Sequence, residues 1–356
     1  MKKLFIVLTI LFTSTLLFAN GYQIKEIKYN LNPSSWKFLG CTNQYVLEQN
    51  VPVDTKKIFL TLDEFKTYYN DYVLRLSNTR AFETLNVNYT VEESKDGTPS
   101  KITITVETVD SVHLLAVPYP KYNSNDGLKV SIKAKDTNFL GSLNTMTTDI
   151  NFILDENRDV SFGFNFAFDY PFKAGLFDVT WVNDYGFNWT IGYDTPEWDT
   201  GLKFVLPKDR IAYQFEFYQS FNKDYDYALY DDEIYFNEDV IFSLPVKLYT
   251  IPNFSDIQYK PYIEFSANWD SDGINPVNTN LSSPSLTFGH SISLGRANWK
   301  DNLRTGVSAS ISNDYTYNFQ RKLFYPSLST EIKAYKGIKL FDNKYDKNEY
   351  NAFYES

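Results

Sequence analysis

Val160-Ser161-Phe162-Gly163-Phe164-Asn165-Phe166-Ala167-Phe168-Asp169 carries an apolar residue at every second position and a small or polar one between. Successive strand residues point to opposite faces, so this segment has one greasy face and one thin or wet face. The same two-residue rhythm surrounds it. Leu128, Val130, Ile132 and Ala134 alternate with Lys129, Ser131, Lys133 and Lys135, and Met146, Thr148, Ile150, Phe152 and Leu154 alternate with Thr147, Asp149 and Asn151. Further segments near Phe177, Phe187, Leu202, Ile211, Val240, Tyr262, Leu286, Leu303 and Leu328 bring the expected number to about twelve.

A soluble sandwich also alternates, and loop lengths separate the two cases. Short turns are expected at Glu156-Asn157, Asp184-Tyr185 and Lys208-Asp209, after even-numbered segments. The long connections, Asn222 to Asp239 and Ser271 to Pro284, both follow odd-numbered ones. Short turns at one end and long loops at the other are the outer-membrane pattern, and the parity puts the N-terminal region at the short-turn, periplasmic end. Composition agrees: aromatic residues make up 18% of the chain, while mean hydropathy stays at -0.36, as in barrels that are apolar only at alternate positions.

The chain opens Met1-Lys2-Lys3, runs apolar from Leu4 to Phe18 and reaches Ala19-Asn20-Gly21, the layout of a secretory signal peptide over residues 1–20. The apolar run is about fifteen residues, short of the roughly twenty a spanning helix needs. Removing Lys2 and Lys3 takes the formal charge from -10 to -12, which argues against nucleic acid as a partner. Cys41 has no second cysteine to pair with and reads as a buried or partly buried free thiol rather than a lipid-attachment site.

Residues 21–112 have mixed periodicity and read as a small β-α-α-β-β domain. Ile24, Ile27 and Tyr29 mark a first strand, and Thr42 to Asn50 a short helix. Thr61-Leu62-Asp63-Glu64 fits a capping box ahead of Phe65, Tyr68, Tyr69, Tyr72, Val73 and Leu76, which share one helical face. Leu85, Val87, Tyr89 and Val91 alternate in one strand and Ile102, Ile104 and Val106 in the next, with Lys95-Asp96-Gly97 as the turn.

Catalysis is not expected. His113 and His290 are far apart, one cysteine gives no zinc spacing, and His290 faces away from its neighbour Ser291 in a strand. His290 shares parity with Leu286, Phe288, Ile292 and Leu294 and is placed on the outer face. Asp224, Asp226, Asp231, Asp232 and Glu233 form an acidic loop that suits calcium but more often only solvates a surface. Lys129, Lys133 and Lys135 project to the polar face, where an ion pair with Asp149 is favoured over a selectivity ring. No cofactor or metal is expected.

Over Tyr22 to Val112 the sequence resembles a POTRA domain, the periplasmic module of outer-membrane assembly and secretion proteins. The matching residues are Ile24-Lys25-Glu26-Ile27 and the run from Arg75 to Val87. Tyr122-Asn123-Ser124-Asn125-Asp126-Gly127-Leu128 and Asn138-Phe139-Leu140-Gly141 are similar to the first strand and first loop of the BamA-like surface-antigen superfamily.

The resemblance implies one small α+β POTRA-like domain, 21–112, followed by a transmembrane antiparallel β-barrel, 113–356. Gly127, Asn138, Phe139, Leu140 and Gly141 then mark the start of the barrel, and Gly127 to Thr137 its first strand. It implies a role in inserting or translocating β-rich outer-membrane polypeptides, by pairing client strands to the edge at Leu85, Val87, Tyr89 and Val91. The implied partners are outer-membrane lipid, unfolded clients and periplasmic or lipoprotein accessory subunits. The alternative is a passive porin-like or adhesin barrel. The chain departs from the family in its strand count, about twelve against sixteen, in its ending Phe353-Tyr354-Glu355-Ser356, and in lacking a convincing arginine motif for the inward-folding loop. A chain missing its last strands is favoured over a smaller barrel.

Overall fold

The computed structural model describes residues 21–336, apart from 95–97, 124–126, 155–158, 191–192, 224–233, 253, 271–272, 275–282 and 301–302. The proposed signal peptide, the Lys95-Asp96-Gly97 and Glu156-Asn157 turns and the Asp224–Glu233 acid loop therefore lie outside the described residues.

The N-terminal module contains β1 (Tyr22–Asn32), α1 (Gln44–Asn50), β2 (Ile58–Phe59), α2 (Leu62–Asn78), β3 (Phe82–Glu92) and β4 (Ser100–Asp110). Its sheet has the order β2-β1-β4-β3, with β1 parallel to β4 and β3 antiparallel at the rim. The β-α-α-β-β order is as expected, with the two-residue β2 added.

Both helix starts follow from their caps. The Asn43 side chain accepts from the Tyr45 amide at 2.9 Å, and Thr61 Oγ1 accepts from the Glu64 amide at 3.1 Å. The Glu64 carboxylate closes the box one residue earlier than expected, on the Leu60 amide at 3.0 Å. Phe65, Tyr72 and Leu76 of α2 are fully buried against Ile24, Ile102, Ile104 and Val106, so the 3.6-residue stripe meets the inner face of a two-residue alternation. Each such side chain removed from water contributes about 1.5–3 kcal/mol.

The second sheet holds β5 (Leu114–Asn123), β6 (Gly127–Asp136), β7 (Met146–Leu154), β8 (Val160–Ala174), β9 (Phe177–Thr190), β10 (Tyr193–Lys208), β11 (Ile211–Lys223), β12 (Ile234–Ser243), β13 (Val246–Thr250), β14 (Asp256–Asp270), β15 (Gly273–Ile274), β16 (Ser285–Lys300), β17 (Leu303–Asn318) and β18 (Leu323–Tyr335). It is an antiparallel meander from β5 to β18; β13 continues β12 between β11 and β14, and β15 pairs only with β14.

Two expectations are corrected here, and they offset each other in the strand count. Gly127–Thr137 is not the first strand of this sheet, because β5 precedes and pairs with β6. Pro118 and Pro120 conceal β5 in the sequence, since proline suits only an edge. Conversely, the segments near Phe177 and Phe187 are one strand, β9, with Asp184-Tyr185 in its middle and continuously paired on both sides.

The ladder is strongly sheared. One row of partners runs Leu115, Lys135, Thr147, Ala167, Asp184, Asp199, Ser220, Asn237, Asn268. It starts beside the module and ends near the far tip of β14, and such tilt is what barrel closure needs. Along another row Ile132, Ile150, Phe164 and Phe187 line one face, with Ile132, Ile150 and many equivalent aromatics exposed. The opposite face carries Lys133, paired with Asp149 at 3.4 Å as expected, and the Tyr262 hydroxyl donates to Asp314 at 2.5 Å. His290 stands exposed on the apolar face against the Tyr259 ring, centroids 5.8 Å apart.

The apolar face has one polar row that the alternation did not foretell: Asn183, Thr200, Gln219 and Glu238. Thr200 and Tyr185 hydroxyls donate to Asn183 Oδ1 at 3.0 and 2.8 Å. Gln219 and the Trp269 indole donate to Glu238 Oε1 at 2.7 and 3.2 Å. Mutual hydrogen bonding is what makes such a row tolerable on a greasy wall.

Lys223 and Ile234, and Asp270 and Ser285, which bound the two long connections, lie at the end of the sheet away from the module. The long connections lie where the sequence reading put them, but Leu154 and Val160, which bound the expected short turn at Glu156-Asn157, lie at that same far end, so of the three expected short turns only Lys208-Asp209 sits at the module's end.

Candidate functional site

Strand edges and a rim junction make up the site. β3 is paired on one side only, by β4, so the other side of Phe82–Glu92 faces outward. Leu85, Val87 and Tyr89 lie half-buried under α2, while Asn86, Asn88 and Thr90 are exposed and Val91 is at the exposed end. The Tyr69 hydroxyl donates to the Val87 carbonyl at 2.5 Å, fixing the helix over the strand. All four residues expected to pair with clients therefore lie on an open strand edge. In the larger sheet β5 and β18 are each paired on one side, and no pairing joins them among the described residues. The first strand of this sheet is β5 and not Gly127–Thr137, and its last described strand is β18.

The module is attached to both flanks of that gap. On the β6 side, Asp110 is fully buried and accepts from the Thr42 amide at 2.6 Å and from its hydroxyl at 3.0 Å. Asn138 donates to Thr42 Oγ1 at 2.9 Å, and its own amide donates to Asp136 at 2.9 Å. His113 Nδ1 is hydrogen-bonded to Asp136 within the same buried cluster. The Asn43 amide donates to the Gly141 carbonyl at 2.9 Å.

Gly141 has φ +75°, and a Cβ there would lie 2.0 Å from the Cys41 carbonyl oxygen, so only glycine lets this turn seat against the module. Of the expected barrel-start residues, Asn138, Phe139, Leu140 and Gly141 form this joint, with Phe139 against Phe166 and Phe168. Gly127 sits at the opposite end of β6 and takes no part in it. Thr42, Asp110, His113 and Asp136 were not read as site residues; the scattered polar positions carry no periodic signal. Cys41 is a half-buried free thiol, as expected, and burial pushes its pKa up, with Asp110 adding to the effect.

Farther round, Tyr45 of α1 donates to Asp178 of β9 at 2.7 Å. On the C-terminal flank, Asp71 of α2 pairs with Arg296 of β16 at 2.6 Å. Asn78 donates to Asn298 at 2.8 Å and accepts from the Trp299 amide at 3.0 Å. The Arg80 guanidinium lies 4.3 Å from the Trp299 ring centre, Arg304 lies 5.1 Å from the same ring, and Arg304 lies 4.6 Å from Tyr335 at the end of β18. This cation–aromatic chain carries the module's hold across the last three described strands.

Burial raises the Asp110 pKa, against the opposing effect of its Thr42 hydrogen bonds. An acid whose pKa is higher folded than unfolded binds protons more readily in the folded state, so its contribution to stability is fullest below the unfolded pKa and falls as pH rises through the folded one. Asp110→Asn is expected to remove this dependence, flattening the melting temperature of the mature protein above about pH 3.8. Asp110→Ala leaves the Thr42 donors unmatched and is expected to cost about 2–4 kcal/mol. Thermal melts across pH, read by near-ultraviolet circular dichroism, check both; an Asp110→Asn curve parallel to the native one overturns the assignment.

No protein-family model matches the sequence, and no curated protein does. Among solved structures the chain is similar to CdiB from Acinetobacter baumannii, at 10% identity and TM-score 0.43, over 90% of this chain and 61% of that one. It is similar to BamA from Haemophilus ducreyi lacking POTRA domains 1-3, at 12% identity and TM-score 0.35, over 85% and 56%. CdiB from Escherichia coli gives 11% identity and TM-score 0.42, over 83% and 55%. The chain thus spans 55–61% of the length of these structures, and the likeness is one of fold.

Proposed function

We propose that this chain is an outer-membrane barrel protein of the BamA-like superfamily, with a periplasmic POTRA domain, that inserts or translocates β-rich polypeptides. One observation carries the reading: a module with an open strand edge is fixed at the rim of a sheared sheet whose first and last described strands each have one free edge. Strand edges offer backbone donors and acceptors to any extended chain, so they bind with little demand on its sequence. An unfolded client first adds to β3 along Leu85, Val87, Tyr89 and Val91, and is then passed to the gap between β5 and β18. The apolar face contacts outer-membrane lipid, and accessory periplasmic or lipoprotein subunits bind the exposed parts of the module. The route needs no covalent chemistry, cofactor or nucleic acid.

A photo-crosslinking residue placed at Asn88 is expected to trap β-rich outer-membrane polypeptides in cells, and depletion of the protein is expected to lower their folded amounts. A depleted strain with normal barrels and no crosslinks, together with a wide, steady conductance in planar bilayers, would instead identify a passive porin-like or adhesin barrel.

A further inference from the structure

The module carries two bare aromatic rings beside its joint with the large sheet. After β1 the chain makes a single 3-10 turn, Lys37–Leu39, closed by the Leu39 amide on the Trp36 carbonyl at 2.9 Å and the Gly40 amide on the Lys37 carbonyl at 3.2 Å. Leu39 is buried, whereas Trp36 and Phe38 are 48% and 74% exposed and stack on each other, ring centres 5.8 Å apart. Stacking covers one side of each ring and leaves the rest of their apolar area in contact with solvent. Lys37 stands exposed between them.

The position of this turn says what covers the rings. Gly40, at φ +88°, brings the chain round against Leu140, whose backbone would lie 3.9 Å from a Cβ placed there. Leu140 is itself 55% exposed, and its φ of +52° is a left-handed conformation that glycine or asparagine adopts at less cost. Its neighbour Phe139 packs on Phe166 and Phe168 of the apolar face, level with the start of β7. Trp36, Phe38 and Leu140 thus continue the greasy wall past its edge on the module's side. Whatever wets Phe166 and Phe168 reaches Leu140 within a side chain's length, and then the two rings. Aromatic rings flanking a lysine are the combination that settles at the headgroup level of a bilayer.

We propose that Trp36, Lys37, Phe38 and Leu140 form a lipid anchor, in which the rings and the leucine enter the membrane leaflet on the module's side and the Lys37 ammonium meets lipid phosphates. The inference rests on the barrel reading above and gives the module a hold that none of its protein contacts supplies. Thr42 and Asn43, which join the module to the sheet, follow a few residues later in the chain. Membrane surface, sheet and module are therefore pinned at one corner.

The test uses the full-length mature protein carrying Cys41→Ser in vesicles of phosphatidylethanolamine and phosphatidylglycerol, with one nitroxide at a time on Phe38→Cys, Leu60→Cys or Ile150→Cys. Ile150 lies exposed on the apolar face. Leu60 is also exposed, but it follows Phe59, which pairs with Tyr22 at the opposite end of β1, about 30 Å from the anchor. Power saturation is expected to find the Phe38 and Ile150 labels open to oxygen and closed to a water-soluble nickel chelate, and the Leu60 label open to the chelate. Trp36→Cys repeats the measurement if the Phe38 variant does not fold. Lys37→Glu is expected to restore part of the chelate's access to the Phe38 label, and unchanged access overturns the role of the lysine. A Phe38 label as open to the chelate as Leu60, or closed to both reagents as under a protein cover, overturns the anchor while a lipid-exposed Ile150 keeps the barrel reading. An Ile150 label open to the chelate overturns the barrel reading itself.

Discussion

Proline placed one residue at a time from Leu85 through Thr90 is expected to divide into two alternating classes. At positions whose N–H points to β4, proline removes a rung of the module's own sheet and unfolds it, at about 3 kcal/mol or more each. At positions whose N–H points outward, the ladder to β4 stays whole and only the free edge loses a donor. In that second class the module should melt as in the native protein, while client crosslinks at β3 fall by about tenfold, the effect of one or two lost backbone bonds. Circular dichroism sorts the folded from the unfolded variants, and crosslinking yield is compared within the folded set. Folded variants that capture clients as well as the native chain would remove β3 from the mechanism, leaving the rest of the barrel reading in place.

Arg296→Ala is expected to release the module from the C-terminal flank while leaving it attached at Thr42, Asn43 and Tyr45. The Arg296 and Asp71 side chains are 13% and 20% exposed and 2.6 Å apart, so the pair is largely withdrawn from water. Removing one partner should cost about 2–3 kcal/mol, since Asp71 keeps its pair with Arg75, and lowers the ratio of docked to released module by about 30- to 150-fold. Nitroxide labels at Lys66→Cys on α2 and Thr305→Cys on β17, in a Cys41→Ser background, give the distance by electron–electron double resonance. A single narrow distance is expected in the native protein and a broad, longer one in the variant. The pair between Lys25 and Glu92, 49% and 66% exposed, serves as control, because solvent screens it and Glu92→Ala should leave the distance unchanged. An unmoved distance in Arg296→Ala would show that Asn78 and Arg80 alone hold this flank. If the module gates the gap between β5 and β18, the same variant should also change the rate at which client strands exchange.

The long β-meander was legible because its signal is local and repeated. Wherever one face meets oil or core, a period of two must persist, and Val160–Asp169 states it without ambiguity. The capping box at Thr61 and the buried stripe of α2 were legible for the same reason, as was the N-terminal module's order of elements. Errors arose where one face changed character. Asn183 interrupts the apolar face of β9, next to Asp184-Tyr185-Gly186, which has the composition of a turn; only the unbroken pairing to β8 and β10 shows a strand. β5 was missed because prolines obey edge rules that a single segment cannot reveal, since whether a strand has one neighbour or two is not written in its own residues.

Asn138–Gly141 could be singled out by resemblance, but its partners Thr42, Asp110, His113 and Asp136 could not. They lie as far as 96 residues apart in the chain and cooperate through single hydrogen bonds, which need a position in space rather than a pattern along the sequence. The sequence by itself determined two faces, a small module and the ends at which the long connections lie, because backbone geometry turns each of these into a periodicity. Tertiary structure alone decided which edges stay open and which side chains fasten the module to both flanks, because edges and contacts exist only once distant strands have found their neighbours.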